Sequence, residues 1–384
     1  MLVNGERALA YIVTVDGILE IQGADNIELA LVGGWNVIVK KQEFQPGSKG
    51  VFFEIDSKLP ESDERFKFLE SKHYKIKTMK LGKFGVYSQG LLMPVTDFPE
   101  LNDPPAGTDV TKQLGVTYAS AEDNKRKASS MKPNYQSMAA RHKTLFRTKL
   151  FRWLMRRTWG QKLLFLFFGR KDKPLGFPGF VSKTDEERVE NQPWRVGDGR
   201  VYICTEKLDG TSCTYALHKR RFRKPEFYVC SRNVRMRTEN QRSYHDHNIY
   251  WDLAFKYDVE RTLNQMLNEL NCDWVCIQGE GVGFVQGNPL KLKEDDLYVF
   301  NLIDSKHGRW DSERGASYLK KFHLKWVPIL GEVSLPDSME ELKLQADGKS
   351  VVNPAVSREG LVYRSLDGQD SFKNVSRKYL LKHE

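Results

Sequence analysis

The chain has 384 residues, 40% hydrophobic and 29% charged, with a net charge of +10. That length suits two compact domains of an ordinary globular protein. The longest purely apolar run, Leu163 to Phe168, is far too short to cross a bilayer, and the N-terminus lacks the basic-then-apolar layout of a secretory signal, which leaves a soluble intracellular protein of open compartment as the expectation.

In chain order, residues 1–119 read as short strands at Ala8 to Val15, Asn36 to Val39, Gly50 to Ile55 and Gln89 to Val95. Turn signals separate them at Asp16-Gly17, Gly33-Gly34 and Pro46-Gly47, a spacing that predicts a small β-barrel or sandwich. Tyr74 to Phe84 alternates apolar residues with Lys75, Lys77, Lys80 and Lys83, as expected of a strand whose basic face meets either phosphates or solvent. Asp103 to Gly107 closes this domain.

Residues 120–174 carry fifteen Lys or Arg against Glu122, Asp123 and Asp172, so this segment holds more than the whole net charge. Such a stretch fits a phosphate-rich partner, and equally a solvated linker. Within it, His142 to Phe168 has apolar residues at near-helical spacing. A basic amphipathic helix there is compatible with RNA, an acidic partner, a membrane surface or plain packing.

Residues 175–384 mix strands and helices in an α+β pattern. Strands are expected at Tyr202 to Thr205, Phe227 to Cys230, Trp274 to Gly279, Leu297 to Ile303 and Gly360 to Tyr363, and helices at Ile249 to Asn271 and Ser338 to Leu344. Cys204, Cys213, Cys230, Cys272 and Cys276 form no CxxC pair, which argues against a disulfide framework or zinc site and for buried reduced thiols. His245-x-His247 lacks a matching third ligand nearby, and Gly279 to Gly283 lacks the spacing of a dinucleotide loop.

The chemistry centres on Thr205-Glu206-Lys207-Leu208-Asp209-Gly210, at the end of a predicted strand. A lysine amine attacks phosphorus only when deprotonated, and a divalent cation held by Asp209 would favour that form while stabilising phosphate charge. Downstream follow Ser231-Arg232-Asn233, Gln278-Gly279-Glu280-Gly281, Tyr298-Val299-Phe300-Asn301, Glu359-Gly360-Leu361-Val362 and Phe372-Lys373-Asn374. Six short motifs in this order resemble the covalent nucleotidyltransferases: ATP-dependent DNA ligases, RNA ligases and mRNA capping enzymes. Lys183-Thr184-Asp185-Glu186 before the lysine, and Ser371 to Leu381 at the end, resemble the Deinococcus- and Naegleria-type RNA ligases.

That resemblance implies an OB-like barrel at 1–119 and an α+β nucleotidyltransferase domain at 175–384; the basic segment between them is outside the motifs. It implies ATP as substrate, Mg²⁺ or Mn²⁺ as cofactor, and RNA ends or a nicked duplex as partner. Lys207 would accept AMP, with Glu206 beside the adenine and Phe300 stacked on it. Arg232 would reach the ribose and phosphates, and Glu280 the ribose hydroxyls. Asp209 and Glu359 would hold the metal or its waters, and Lys373 the α-phosphate. Ser371 stands where some relatives have a second lysine. A DNA ligase, a capping guanylyltransferase and a non-catalytic RNA-binding protein are the alternatives.

Overall fold

The computed structural model describes residues 1–3, 6–119, 175–236 and 248–383, with scattered positions between 148 and 167. The expected helix at His142 to Phe168 lies largely outside these residues, and His245-x-His247 wholly outside.

In the first domain, Ala10–Thr14, Lys49–Phe53 and Leu91–Pro94 form one three-stranded sheet, and Gly17–Glu20, Ile27–Val32 and Trp35–Lys40 a second. Strict alternation in Trp35–Lys40 buries Trp35, Val37 and Val39 and turns Asn36, Ile38 and Lys40 outward, the period of a half-buried strand. Phe52, Phe53, Phe66 and Trp35 fill the barrel core. The strand expected over Tyr74 to Phe84 shrinks to Met79–Leu81, paired with Val86–Ser88. His73 and Tyr74 both adopt positive φ, +52° and +58°, and Lys75 and Ile76 after that corner bond to residues 56–58 instead. Burial still alternates, with Ile76 and Thr78 inside and Lys77 outside.

The second domain is built on two sheets. The larger, eight-stranded one carries Thr211–Arg220, Arg223–Cys230, Trp274–Val282 and Asp296–Asp304. The five-stranded one carries Glu187–Arg188, Ser371–Val375, Gly360–Ser365, Val201–Lys207 and Ile329–Ser334, in that order. Val275, Ile277, Tyr215 and Leu217 of the larger sheet pack under Ile249–Lys256 and Val259–Glu269. Those two helices replace the single helix expected from Ile249 to Asn271. Their apolar sets, Ile249 and Leu253 against Val259, Leu263 and Met266, are out of phase at ~100° per residue, so a break is needed for both to face the sheet. Asp258, at φ +44°, makes that break. Ser338 caps Met339–Gln345, one residue later than the helix expected from Ser338 to Leu344.

The barrel docks on the five-stranded sheet. Trp35 Nε1 and Tyr11 Oη both donate to Asn191 Oδ1, at 2.7 and 3.0 Å, and Val375 and Leu380 join the barrel's own core. All five cysteines are buried and unpaired, and no helix among the described residues is long and apolar enough to cross a membrane.

Candidate active site

The cleft between the two sheets collects the motif residues. Lys207 ends the strand Val201–Lys207, where Tyr202 and Cys204 point into the small sheet's own core. Period-two alternation therefore sends Thr205 and Lys207 to the opposite face. Lys207 Nζ donates to Glu359 Oε2 at 2.7 Å, and Lys207 keeps a quarter of its side chain open. Gly360, next to Glu359, pairs with Lys207 across the sheet; a Cβ there would lie 2.3 Å from the Asn374 carbonyl. Gly210 is equally constrained, because its Cβ would lie 2.4 Å from the Gly281 carbonyl. These motif glycines let strands approach and do not simply mark turns.

Glu280 approaches from the larger sheet. Ile277 and Val275 of its strand face the helices, so Cys276, Gln278 and Glu280 face the cleft side. Burial pushes the Glu280 carboxyl up to about 8, and Glu359 and Asp209 add to this while Lys207 opposes it. Burial works against the Lys207 charge too, but Glu359 and Glu280 outweigh it and the amine is raised above its ordinary value. The charged form of Lys207 is thus favoured in this cleft. Asp209 Oδ2 accepts a hydrogen bond from the Tyr379 hydroxyl at 2.6 Å.

Phe300 sits opposite the Gln278/Gly279 step, where the pairing slips by one residue. Such a bulge re-aims a side chain. Phe300 packs with Leu208, Val282 and Val327 in an apolar cluster beside the lysine. Glu206 lies on the strand face alternate to Lys207 and is 1% exposed. Its Oε2 accepts from the Val351 amide at 2.7 Å, while Oε1 has no protein partner. Arg232 is ion-paired to Asp185 and lies 5.9 Å from the ring of Tyr118, a barrel-domain residue.

Lys373 lies two strands across the same sheet from Lys207, level with Thr205. Burial lowers its amine to about 7, helped by the nearby charges of Arg188, Arg7 and Lys207 against the pull of Asp185. Among the described residues no carboxylate lies within 4 Å of its Nζ. Arg7 comes from the barrel domain, held on Glu54 and Asp56 at 2.7 and 2.9 Å. Ser371 is tied to Glu186, which also pairs with Arg364 at 3.2 Å. Asn301 and Gln278 extend that buried polar network.

Sequence reading missed Arg7, Arg188 and Tyr379, whose signal is spatial. Lys183-Thr184-Asp185-Glu186 lines the same region: Thr184 hydrogen-bonds Ser212 at 2.7 Å, Asp185 holds Arg232, and Glu186 holds Arg364. Asp209, Glu280 and Glu359 form a carboxylate-rich setting suited to a hard cation. Among the described residues no three His, Cys, Asp or Glu side chains are close enough to cage one directly. Contact through retained waters, as Mg²⁺ prefers, fits that spacing.

An OB-fold domain model matches residues 9–95 and an RNA ligase model residues 200–380. No curated protein matches by sequence. Among solved structures, a substituted apo form of Naegleria gruberi RNA ligase is 32% identical, with 99% of each chain covered and a TM-score of 0.74. The same enzyme with PPi gives 32% identity, 98% of this chain and 99% of that one, and a TM-score of 0.74. A substituted form with ATP and Mn gives 32% identity, the same coverage and a TM-score of 0.72. With the lysine strand, the facing carboxylates and the leading barrel in the same frame along the whole chain, this protein belongs to the family of ATP-dependent RNA ligases.

Proposed function

We propose that this RNA ligase joins a 3′-hydroxyl to a 5′-phosphate at nicks in RNA duplexes, as a soluble intracellular repair activity, through lysyl-AMP on Lys207. The observation that carries this reading is the convergence of Lys207, Glu359, Glu280, Asp209 and Lys373 on one cleft beside Phe300. In the first step the Lys207 amine attacks the α-phosphorus of ATP. An N–P bond forms, the P–O bond to the β-phosphate breaks, and pyrophosphate leaves with the electron pair. A 5′-phosphate oxygen then displaces Lys207 from the AMP phosphorus. The 3′-hydroxyl finally attacks the activated 5′-phosphate, and AMP leaves.

Phe300 supplies a flat apolar face for adenine, and Glu206 Oε1 is a free buried acceptor for an amino donor. Glu280 accepts from ribose hydroxyls, and Arg232 reaches the sugar and phosphates once it leaves Asp185. Lys373 meets the α-phosphate and regains its charge there. Asp209 and Glu359 would hold a divalent cation, which would neutralise phosphate charge and favour the free amine. Residues 1–119 and the 120–174 segment grip the backbone ahead of the 175–384 catalytic domain.

Incubation with α-labelled ATP and magnesium tests the nucleophile. Wild type takes up label and Lys207→Ala takes up none. Equal label on the variant moves the nucleophile elsewhere. Nicked duplexes with RNA or DNA on the 3′-hydroxyl side then test the substrate, with the RNA nick sealed faster. Equal rates on an all-DNA nick remove the RNA preference.

A further inference from the structure

The strand Thr211–Arg220 has two ends with different chemistry. Near one end Ser212 pairs with Glu280 at the active site. At the other, a two-residue turn joins it to Arg223–Cys230, with Arg220 opposite Arg223. From Ser212 to Arg220 is eight residues, about 27 Å at ~3.4 Å per residue. The tip is therefore well outside the cleft.

Three observations single it out. The run Lys219-Arg220-Arg221-Phe222-Arg223-Lys224 holds five cations and no acid. The nearest carboxylate, Glu226, is already taken by Arg220 and Arg235, which hold it at about 2 despite partial burial. Among the described residues Lys219, Arg221, Arg223 and Lys224 have no carboxylate within ion-pair distance. Second, Phe222 is 91% exposed, the most exposed large apolar side chain among the described residues. Third, Phe222 occupies the second turn position at φ +64°, where glycine or asparagine is the usual occupant. A bulky aromatic in left-handed backbone, largely open to solvent, costs folding stability and gains only the Arg221 guanidinium, 5.1 Å from its ring centre.

We propose that this hairpin tip is a second RNA-binding site, which holds an arm of the substrate on the order of eight base pairs or more from the sealed junction. It rests on the RNA-joining reading above. The unpaired cations neutralise phosphates and release counterions. Phe222 offers its ring to an unpaired base at the arm's end or in a bulge, as aromatic platforms do. A receptor that reads basic runs in extended form is disfavoured, because this run is folded into paired strands and Arg220 is engaged with Glu226 and Tyr228.

The experiment uses the full chain and two nicked RNA duplexes, one with arms of about six base pairs and one with arms of about twenty-four that carry a single unpaired nucleotide about eight pairs from the nick, at the ~27 Å reach. The variant is Arg221→Ala/Arg223→Ala/Lys224→Ala. Self-adenylylation and short-arm sealing stay at the wild-type level. Affinity for the long-arm duplex falls about tenfold or more, and the slope of log affinity against log salt falls by up to about three. Phe222→Gly separates binding from folding: melting temperature holds or rises as strain is relieved, while long-arm affinity falls. Equal effects on both arm lengths, or none, overturn the proposal. So does loss of binding to vesicles containing phosphatidylserine with RNA binding intact, which would assign the tip to a lipid surface. Failure of wild type to seal either duplex would instead remove the underlying reading of the substrate.

Discussion

Lys207 and Lys373 lie on strands that flank the same partner, Gly360–Ser365, yet they sit in opposite fields. Lys207 is surrounded by Glu359, Glu280 and Asp209, which hold its ammonium against burial. Lys373 is surrounded by burial, Arg188 and Arg7, which bring its amine down to about 7. Each lysine is thus poised for the partner it lacks. The first sits in excess negative charge and waits for a cation to compete for its carboxylates. The second sits in excess positive charge and waits for an anion. Two identical side chains on one sheet are thus shifted in opposite directions by their surroundings.

The largest effect expected from breaking this contrast is at Lys373. Lys373→Met lowers the rate of self-adenylylation by roughly 10²–10³-fold, the scale of losing one preorganised donor to transition-state charge. The free variant should nevertheless melt higher than wild type. The native amine titrates near 7 and the unfolded one near 10.5, so wild type carries the full charge penalty below pH 7 and loses it between 7 and 10.5. The melting gap is then widest in acid and closes as pH rises through that window. A gap that grows with pH would show that the field at Lys373 has the other sign. Arg7→Met acts on the same field from the barrel domain, and should raise the Lys373 titration while leaving the Lys207–Glu359 pair in place.

The motif residues were legible because short motifs fix both residue type and strand position. Lys207, Asp209, Glu280, Phe300, Glu359 and Lys373 converge as their order implied. Alternation also says that Glu206 turns away from Lys207, and the structure places it on that other face. Arg7 and Arg188 were not legible, since the field at Lys373 exists only once the barrel docks on the sheet. Tyr379 lies within the Ser371 to Leu381 run, in the helix Arg377–His383, but nothing in that run marks it as the partner of Asp209. Ser312–Lys320 was missed because its buried face, Ser312, Gly315 and Leu319, has a single large apolar residue. The basic segment at 120–174 had a visible charge but no visible fold, and charge alone does not distinguish a grip from a tether.

Glu280→Gln sharpens the contrast from the acidic side, and it reads out in stability rather than in a large loss of rate. The native carboxyl titrates near 8 and the unfolded one near 4.5, so wild type loses stability as pH rises from 4.5 to 8 and none beyond. The variant removes that slope, and a melting gap opens from about pH 5 and levels off near 8. Added Mn²⁺ should narrow the gap, because a cation supports the ionised carboxyl in wild type. At about 1.4 kcal/mol per pH unit, the gap is a few kcal/mol at most. A gap independent of pH would mean that Glu280 is not the crowded carboxyl of the free site.

The smallest effect is expected at Tyr379, whose hydroxyl sets one oxygen of Asp209 at 2.6 Å. Tyr379→Phe keeps the ring, which stacks on His383 at 4.1 Å, and removes only that donor. A lost hydrogen bond to a charged group is worth about 1.5–3 kcal/mol when nothing replaces it. Water can reach Asp209 in part, so self-adenylylation should fall by only about three- to tenfold at limiting magnesium. Raising magnesium should recover most of the loss if the hydroxyl positions a carboxylate for the cation. A deficit that persists at saturating magnesium would place the role of Tyr379 in folding the last helix, and would leave the acidic side of the site to Glu280 and Glu359 alone.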